Sequence, residues 1–212
     1  MNVKVGDIVR FGSYWQSFSP YKEPIEWRVL DVKDGKALLI SRYALDSQPY
    51  NEEFENVTWG TCTLRRWLNS SFYNDAFSIN EQRKIPTVTV TADTNPHYDT
   101  DPGNNTKDKI FLLSIDEVNK YFSLVEINPD RYWRVKDRMC APTQYAINQG
   151  VRIRSRHKVD GKATCCWWLR SPGINSSSAV HVDDSGDVFS CGLPVIDSRI
   201  GVRPALWINL DN

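Results

Sequence analysis

Cys166-Trp167-Trp168-Leu169-Arg170-Ser171-Pro172-Gly173 sets two adjacent tryptophans ahead of an arginine and a turn. Gly201-Val202-Arg203-Pro204-Ala205-Leu206-Trp207 answers it with a second arginine beside a proline. Between them lie short β-type runs, Val180-His181-Val182 and Val188-Phe189, joined by Asp183-Asp184-Ser185-Gly186-Asp187. Aromatic and β-branched residues suit the pleated, half-buried surface of a strand, whereas Asp and Gly suit turns for backbone reasons. From Thr164 onward the chain therefore reads as short strands and tight turns. Neighbouring strand residues point to opposite faces. One of Trp167 and Trp168 is thus expected in the core and the other against a second layer or solvent.

Outward from this region, the N-terminal part also reads as β. Val3 to Phe11 alternates apolar and polar residues, as a half-buried strand does. Ile25-Glu26-Trp27-Arg28-Val29-Leu30 and Ala37-Leu38-Leu39-Ile40 follow, separated by Asp34-Gly35, a strong hairpin signal. A helical block comes next. Leu64, Trp67, Leu68 and Phe72 share one helical face, and a second short helix over Ile79 to Lys84 should stop ahead of Pro86. Thr87 to Thr91 reads as a strand, 93–107 as loop, and Ile110 to Leu113 as a buried strand. Ser114-Ile115-Asp116-Glu117 has capping-box spacing and starts a helix through Tyr121. Pro142 to Gln149 reads as another helix, closed by Gly150. The sum is an α+β fold: an N-terminal antiparallel β-meander, short helices in a middle at about 61–150, and a β region at about 164–212. A chain of 212 residues with no repeat and no clean linker reads as one domain.

Composition excludes several classes of function. Formal net charge is zero, so the chain lacks the basic field on which general nucleic-acid binding depends. No apolar run approaches the roughly 18 residues that span a bilayer, and the N-terminus has no signal-peptide apolar region. A cytoplasmic location without membrane insertion is the expectation. The five cysteines, Cys62, Cys140, Cys165, Cys166 and Cys191, include no C-x-x-C pair, so reduced thiols are expected rather than a zinc site.

The ordered segments Gly6 to Tyr14, Ile25 to Leu30, Leu64 to Asn69 and Asp108 to Ser114, together with the Trp-Arg and Gly-Val-Arg-Pro-Ala segments, resemble the bacterial domain family DUF6273. More distantly, a Trp-rich strand, polar turn, paired short strands and a closing Gly-Val-Arg resemble the C-type-lectin-like core. The formylglycine-generating sulfatase-modifying group and the variable receptor-binding proteins of phages share that core. This second resemblance implies a lectin-like C-terminal region. It also implies, for the modifying enzymes, copper held by two cysteines, one close to the closing arginine. Here Pro204 follows Arg203, and no cysteine follows Cys191.

The candidate ligand-binding residues are Trp167, Arg170, Asn175, His181, Asp183, Arg199 and Arg203. A tryptophan face can stack on a sugar, and a guanidinium fork grips carboxylates or carbonyls. Both residue types equally serve a framework, through two-sided burial or by tying loop carbonyls together. Asp183 to Asp187 has oxygens that suit Ca²⁺, but an ordinary hairpin turn accounts for them, and no cofactor or metal is expected. Arg152, Arg154 and Arg156 recur with period two, as either a basic patch completed by Arg131, Arg134 and Arg138 or a charge-protected edge strand. His97, His157 and His181 stand isolated in sequence, with no triad spacing, so no catalytic residue is assigned. The expected role is non-catalytic recognition of a carbohydrate or protein ligand by loops on a rigid scaffold. A copper oxidoreductase of the formylglycine-generating type, or an assembly subunit of a phage or mobile element, are the alternatives.

Overall fold

The computed structural model describes residues 2–122 and 136–210. Two five-stranded sheets form its frame. The first orders β1 (Ile8–Tyr14), β2 (Glu23–Lys33), β3 (Lys36–Ser41), β14 (Ala205–Asn209) and β7 (Ile110–Phe111) side by side. The second orders β12 (Val188–Pro194), β11 (Ser178–Val182), β10 (Trp167–Pro172), β13 (Gly201–Val202) and β4 (Asp46–Ser47). Two hairpins stand apart from these sheets: β5 (Val88–Val90) with β6 (Thr106–Asp108), and β8 (Ile153–Val159) with β9 (Lys162–Cys165). Pairing is antiparallel throughout the named strands except between β10 and β13.

Local chemistry explains most of these elements. Lys33 pairs with Lys36, which leaves Asp34 and Gly35 as a two-residue turn with φ of 49° and 69°. These are the left-handed values that a type I′ hairpin needs. The first strand begins later than alternation suggests, at Ile8. Its would-be first residues are taken by a turn in which the Asp7 carboxylate and amide bond to Lys4. The 64/67/68/72 face is present, but as α1 (Thr63–Trp67), a π turn over Leu68–Phe72, and α2 (Tyr73–Ala76) in succession. Leu64, Leu68 and Phe72 are buried along it. The next helix, α3 (Ile79–Gln82), stops two residues earlier than Lys84. Ser78 and Glu81 close a capping box at its start, and Ser114 and Glu117 do the same for α4 (Ile115–Tyr121). The last helix is α5 (Gln144–Asn148), capped by Thr143 rather than opened by Pro142. The 93–107 loop ends in β6, and Ile110 to Leu113 is buried although only its first two residues pair in the sheet.

The core joins both sheets. Trp27 from the first sheet and Trp167 and Trp168 from the second are its largest fully buried side chains, together with Phe72 and Phe122. Both adjacent tryptophans are enclosed, so each face of β10 meets a packed layer and neither ring meets solvent. Trp167 Nε1 donates to the Arg138 carbonyl at 3.0 Å and Trp168 Nε1 to the Gln48 carbonyl at 3.0 Å, which satisfies the polar handle that a buried indole carries. The parallel contact that pairs Trp167 with Gly201 brings the two opening segments together in space. Among the described residues, no helix is long and apolar enough to cross a membrane, and the five cysteines are free thiols.

Candidate functional site

Of the cavities along the described surface, one of about 290 Å³ lies where β11 and β12 meet the start of the β8 hairpin and the loop ahead of β13. His181 and Phe189 line it from facing strands. They are direct cross-strand partners, and their rings lie 5.2 Å apart, in the manner of side chains opposed across a sheet. This pairing depends on an irregularity of β12. Ala179 faces Leu193 while His181 faces Phe189, so the longer strand bulges through Ser190 to Gly192. Gly192 takes φ of 78°, and a Cβ there would lie 2.5 Å from the Ala179 carbonyl.

His181 is the most unusual side chain of the cleft. It is 4% exposed, stands edge-on to Trp168, and its Nδ1 has no hydrogen-bond partner. Burial pushes its pKa down to about 4, against the opposing pull of Asp183 and Asp197. At neutral pH the imidazole is therefore uncharged, with one donor nitrogen and one acceptor nitrogen. An unpaired polar atom in such a place costs free energy that a partner would recover.

Around this histidine the cleft is charged with both signs. Arg152, Arg154 and Arg199 line it opposite Asp183, Asp184 and Asp197. Asp197 and Arg199 form a two-pronged pair at 2.8 and 2.9 Å, and these bonds hold the Asp197 carboxyl below its ordinary pKa. Asp184 receives His157 Nδ1 at 3.1 Å and faces Arg154 Nε at 3.6 Å. Asp183 Oδ1 accepts from the Ser185 amide, the Ser185 hydroxyl and the Asp187 amide. It thus serves its own turn, as Asp commonly does. Among the described residues, no group of three His, Cys, Asp or Glu side chains is arranged to hold a metal ion.

Three of the sequence-derived candidates, His181, Asp183 and Arg199, meet in this cleft. Asn175 lies outside it, in the exposed turn between β10 and β11, where its Oδ1 accepts from the Ser177 amide. Trp167 is sealed in the core. Arg170 is 3% exposed and binds inward, to the Thr91 carbonyl at 3.1 Å, the Leu112 carbonyl at 2.9 Å, Asp93 at 2.9 Å, and Glu117. It ties β10 to the start of α4 and to the loop after β5. Arg203 is 4% exposed and lies away from this cleft, against a second cavity.

Phe189 and Asp197 are not among the sequence candidates; Asp184 is weighed only within the Asp183 to Asp187 oxygens, and Arg152 and Arg154 as a basic patch or a charge-protected edge strand. Phe189 stays 48% exposed, which its place beside a hairpin turn does not state in sequence. The joining of Arg152 and Arg154 to the cleft had no local signal, because it depends on their contacts with Arg199 and Asp184. Arg156 is exposed on the same hairpin and Arg138 is buried; Arg131 and Arg134 lie outside the described residues.

Two cysteines distant in sequence come together. Cys140 and Cys165 form an antiparallel bridge, with the Cys165 amide donating to the Cys140 carbonyl at 2.9 Å. Cys166 instead faces the cleft. Burial opposes the Cys140 thiolate, yet the hydrogen bond from Cys165 and the nearby Arg203 bring its pKa down to about 7, while Cys165 is driven up. Both residues are fully enclosed, with no surface open to a substrate. The pair does not fit an oxygen-activating copper centre.

A mixed α+β protein of largely antiparallel sheets, with a mixed-charge cleft at the edge of the second sheet, is the class that fold and site define. The chain belongs to DUF6273, a domain of unknown function, whose family model matches residues 34–210. The segments Gly6 to Tyr14 and Ile25 to Leu30 lie ahead of that span. No curated protein and no solved structure matches the chain.

Proposed function

We propose that the protein is a recognition module whose cleft between β11, β12 and the β8 hairpin binds a carbohydrate, the second sheet acting as a C-type-lectin-like platform. The observation that carries this reading is the buried, uncharged His181 with its unpartnered Nδ1, set against the exposed ring of Phe189. A sugar has an apolar face that stacks on an aromatic ring and a rim of hydroxyls that donate and accept hydrogen bonds. Phe189 supplies the ring, His181 a directional nitrogen, and the carboxylates and guanidiniums of the cleft supply acceptors and donors on either side. Asp197 and Arg199 hold each other in place, so little ordering is left for the ligand to impose.

A broad glycan array, followed by titration of the best binder, tests this. Phe189→Ala is expected to weaken binding about tenfold or more without unfolding the protein, because the ring is half exposed. Arg154→Gln should weaken it as well. A blank array, or a hit whose affinity is unmoved by both substitutions, overturns the carbohydrate reading. A protein captured through the same cleft and lost with Phe189→Ala would replace the sugar with a protein ligand.

A further inference from the structure

The second cavity, about 370 Å³, shares no lining residue with the first, and Arg203 forms part of its wall with Arg28, Arg42 and Lys136. We infer that it is a phosphate-binding site, in which Arg203, Arg28 and Lys136 receive the phosphate group of a small molecule.

Arg203 is the first reason. Its Nε donates to the Ser41 carbonyl at 2.9 Å, and its guanidinium lies 4.9 Å from the ring centre of Trp167 and 5.6 Å from that of Phe122. Its Nη1 is buried with no hydrogen-bond acceptor. No carboxylate lies within ion-pair distance of it among the described residues. The nearby Cys140 sulfur, drawn toward its thiolate by Arg203, lies against the Arg42 and Ala141 carbonyls and gives Nη1 no hydrogen bond. Aromatic faces offset part of the cost of a desolvated guanidinium, but an unpaired buried charge remains expensive.

The balance of charge around it is the second. Four basic side chains line the cavity against two acids, Asp137 and Asp160. Arg42 is already engaged by Glu26 at 2.8 Å and Asp160 at 2.6 Å, and Arg28 only loosely by Asp137 at 3.7 Å. Glu26 is shared between Arg42 and Arg10, so that in and around the cavity five basic side chains face three acids. The excess of two positive charges resides on Lys136, which is exposed, and on Arg203. A dianionic tetrahedral oxyanion matches that excess, and its several acceptor oxygens can take a guanidinium fork and an ammonium together. A lone carboxylate would leave one charge uncompensated. The concave shape suits a small molecule rather than an extended polymer.

Inorganic phosphate titrated into the whole protein, followed by calorimetry in chloride buffer, tests the inference. Saturable one-to-one binding is expected at millimolar concentrations or below. The double substitution Arg28→Gln with Lys136→Gln, both at partly exposed positions, is expected to weaken it at least about tenfold. Arg154→Gln in the first cleft should leave it unchanged. Arg203→Lys should weaken it too, provided that its melting curve stays cooperative. Absence of saturable heat, or an affinity unmoved by the double substitution, overturns the inference. So does loss of binding with Arg154→Gln, which would place the anion in the other cleft, or acetate binding as tightly as phosphate. Apart from that Arg154→Gln outcome, these results leave the carbohydrate titration untouched.

Discussion

His181 shows how much one side chain can be set by its surroundings. In sequence it is a histidine between two valines. In the fold it is a neutral ring pressed against Trp168 and facing Phe189. Its folded pKa of about 4 lies below the value of about 6.5 expected for an unfolded chain. As pH falls through about 6.5, the unfolded state takes up a proton that the folded state refuses, so stability is lost down to about pH 4 and is full above neutrality. Between neutral pH and about pH 5 this one group should remove about 2 kcal/mol. Chemical denaturation of the wild type and of His181→Asn at both pH values isolates the contribution. The variant should lose less stability on acidification, and equal losses in the two proteins would refute the burial account. Arg170 makes the complementary point. Its five donors are spent on two carbonyls, the Thr91 hydroxyl, Asp93 and Glu117, so an arginine that invites a ligand in sequence is a tie between elements in the structure.

Among the elements, the β11–β12 hairpin decides the shape of the cleft. Its turn is legible, since Asp183 to Asp187 carries the residues of a hairpin loop and its Oδ1 bonds confirm that use. Its bulge is not. The extra residues of β12 aim Phe189 at His181, and they require Gly192 in a left-handed conformation against the Ala179 backbone. Gly192→Ala should therefore cost about 3 kcal/mol, combining backbone strain with a steric clash. Gly161 is the control. It has a similar φ of 76° but open space where a Cβ would stand, so Gly161→Ala should cost only about 1 kcal/mol. Thermal melts of the two variants compare the terms directly. Equal losses would mean that the close approach to Ala179 contributes nothing.

At the scale of the whole molecule, the family match begins at Asp34, while the first sheet begins at Ile8. β1 and β2 supply two of that sheet's five strands, and Ile25, Trp27 and Val29 are fully buried. A chain beginning at Asp34 would expose the β3 edge and a large apolar face, a combination that promotes association. It is expected to aggregate, or to bind a hydrophobic dye without a cooperative melt. A monomeric truncated chain with a sharp transition would show that the first two strands are dispensable.

Elements governed by neighbours in sequence were readable from sequence alone. The Asp34-Gly35 hairpin, the Ser114 capping box, the buried face of Leu64, Leu68 and Phe72, and the strand-and-turn character of 164–210 all rest on sterics and hydrogen bonds within a few residues. Three members of the cleft, His181, Asp183 and Arg199, were also legible as loop and strand residues around a turn. Only the tertiary structure decided the rest. The enclosure of both Trp167 and Trp168, the meeting of Arg152 with Arg199, the pairing of Cys140 with Cys165, and the unpaired Arg203 beside a cavity each depend on segments distant in sequence. Alternation along a strand states that two neighbours face opposite ways. What each one faces is set by whichever layer the folded chain lays against that side, and β10 has a packed layer on both.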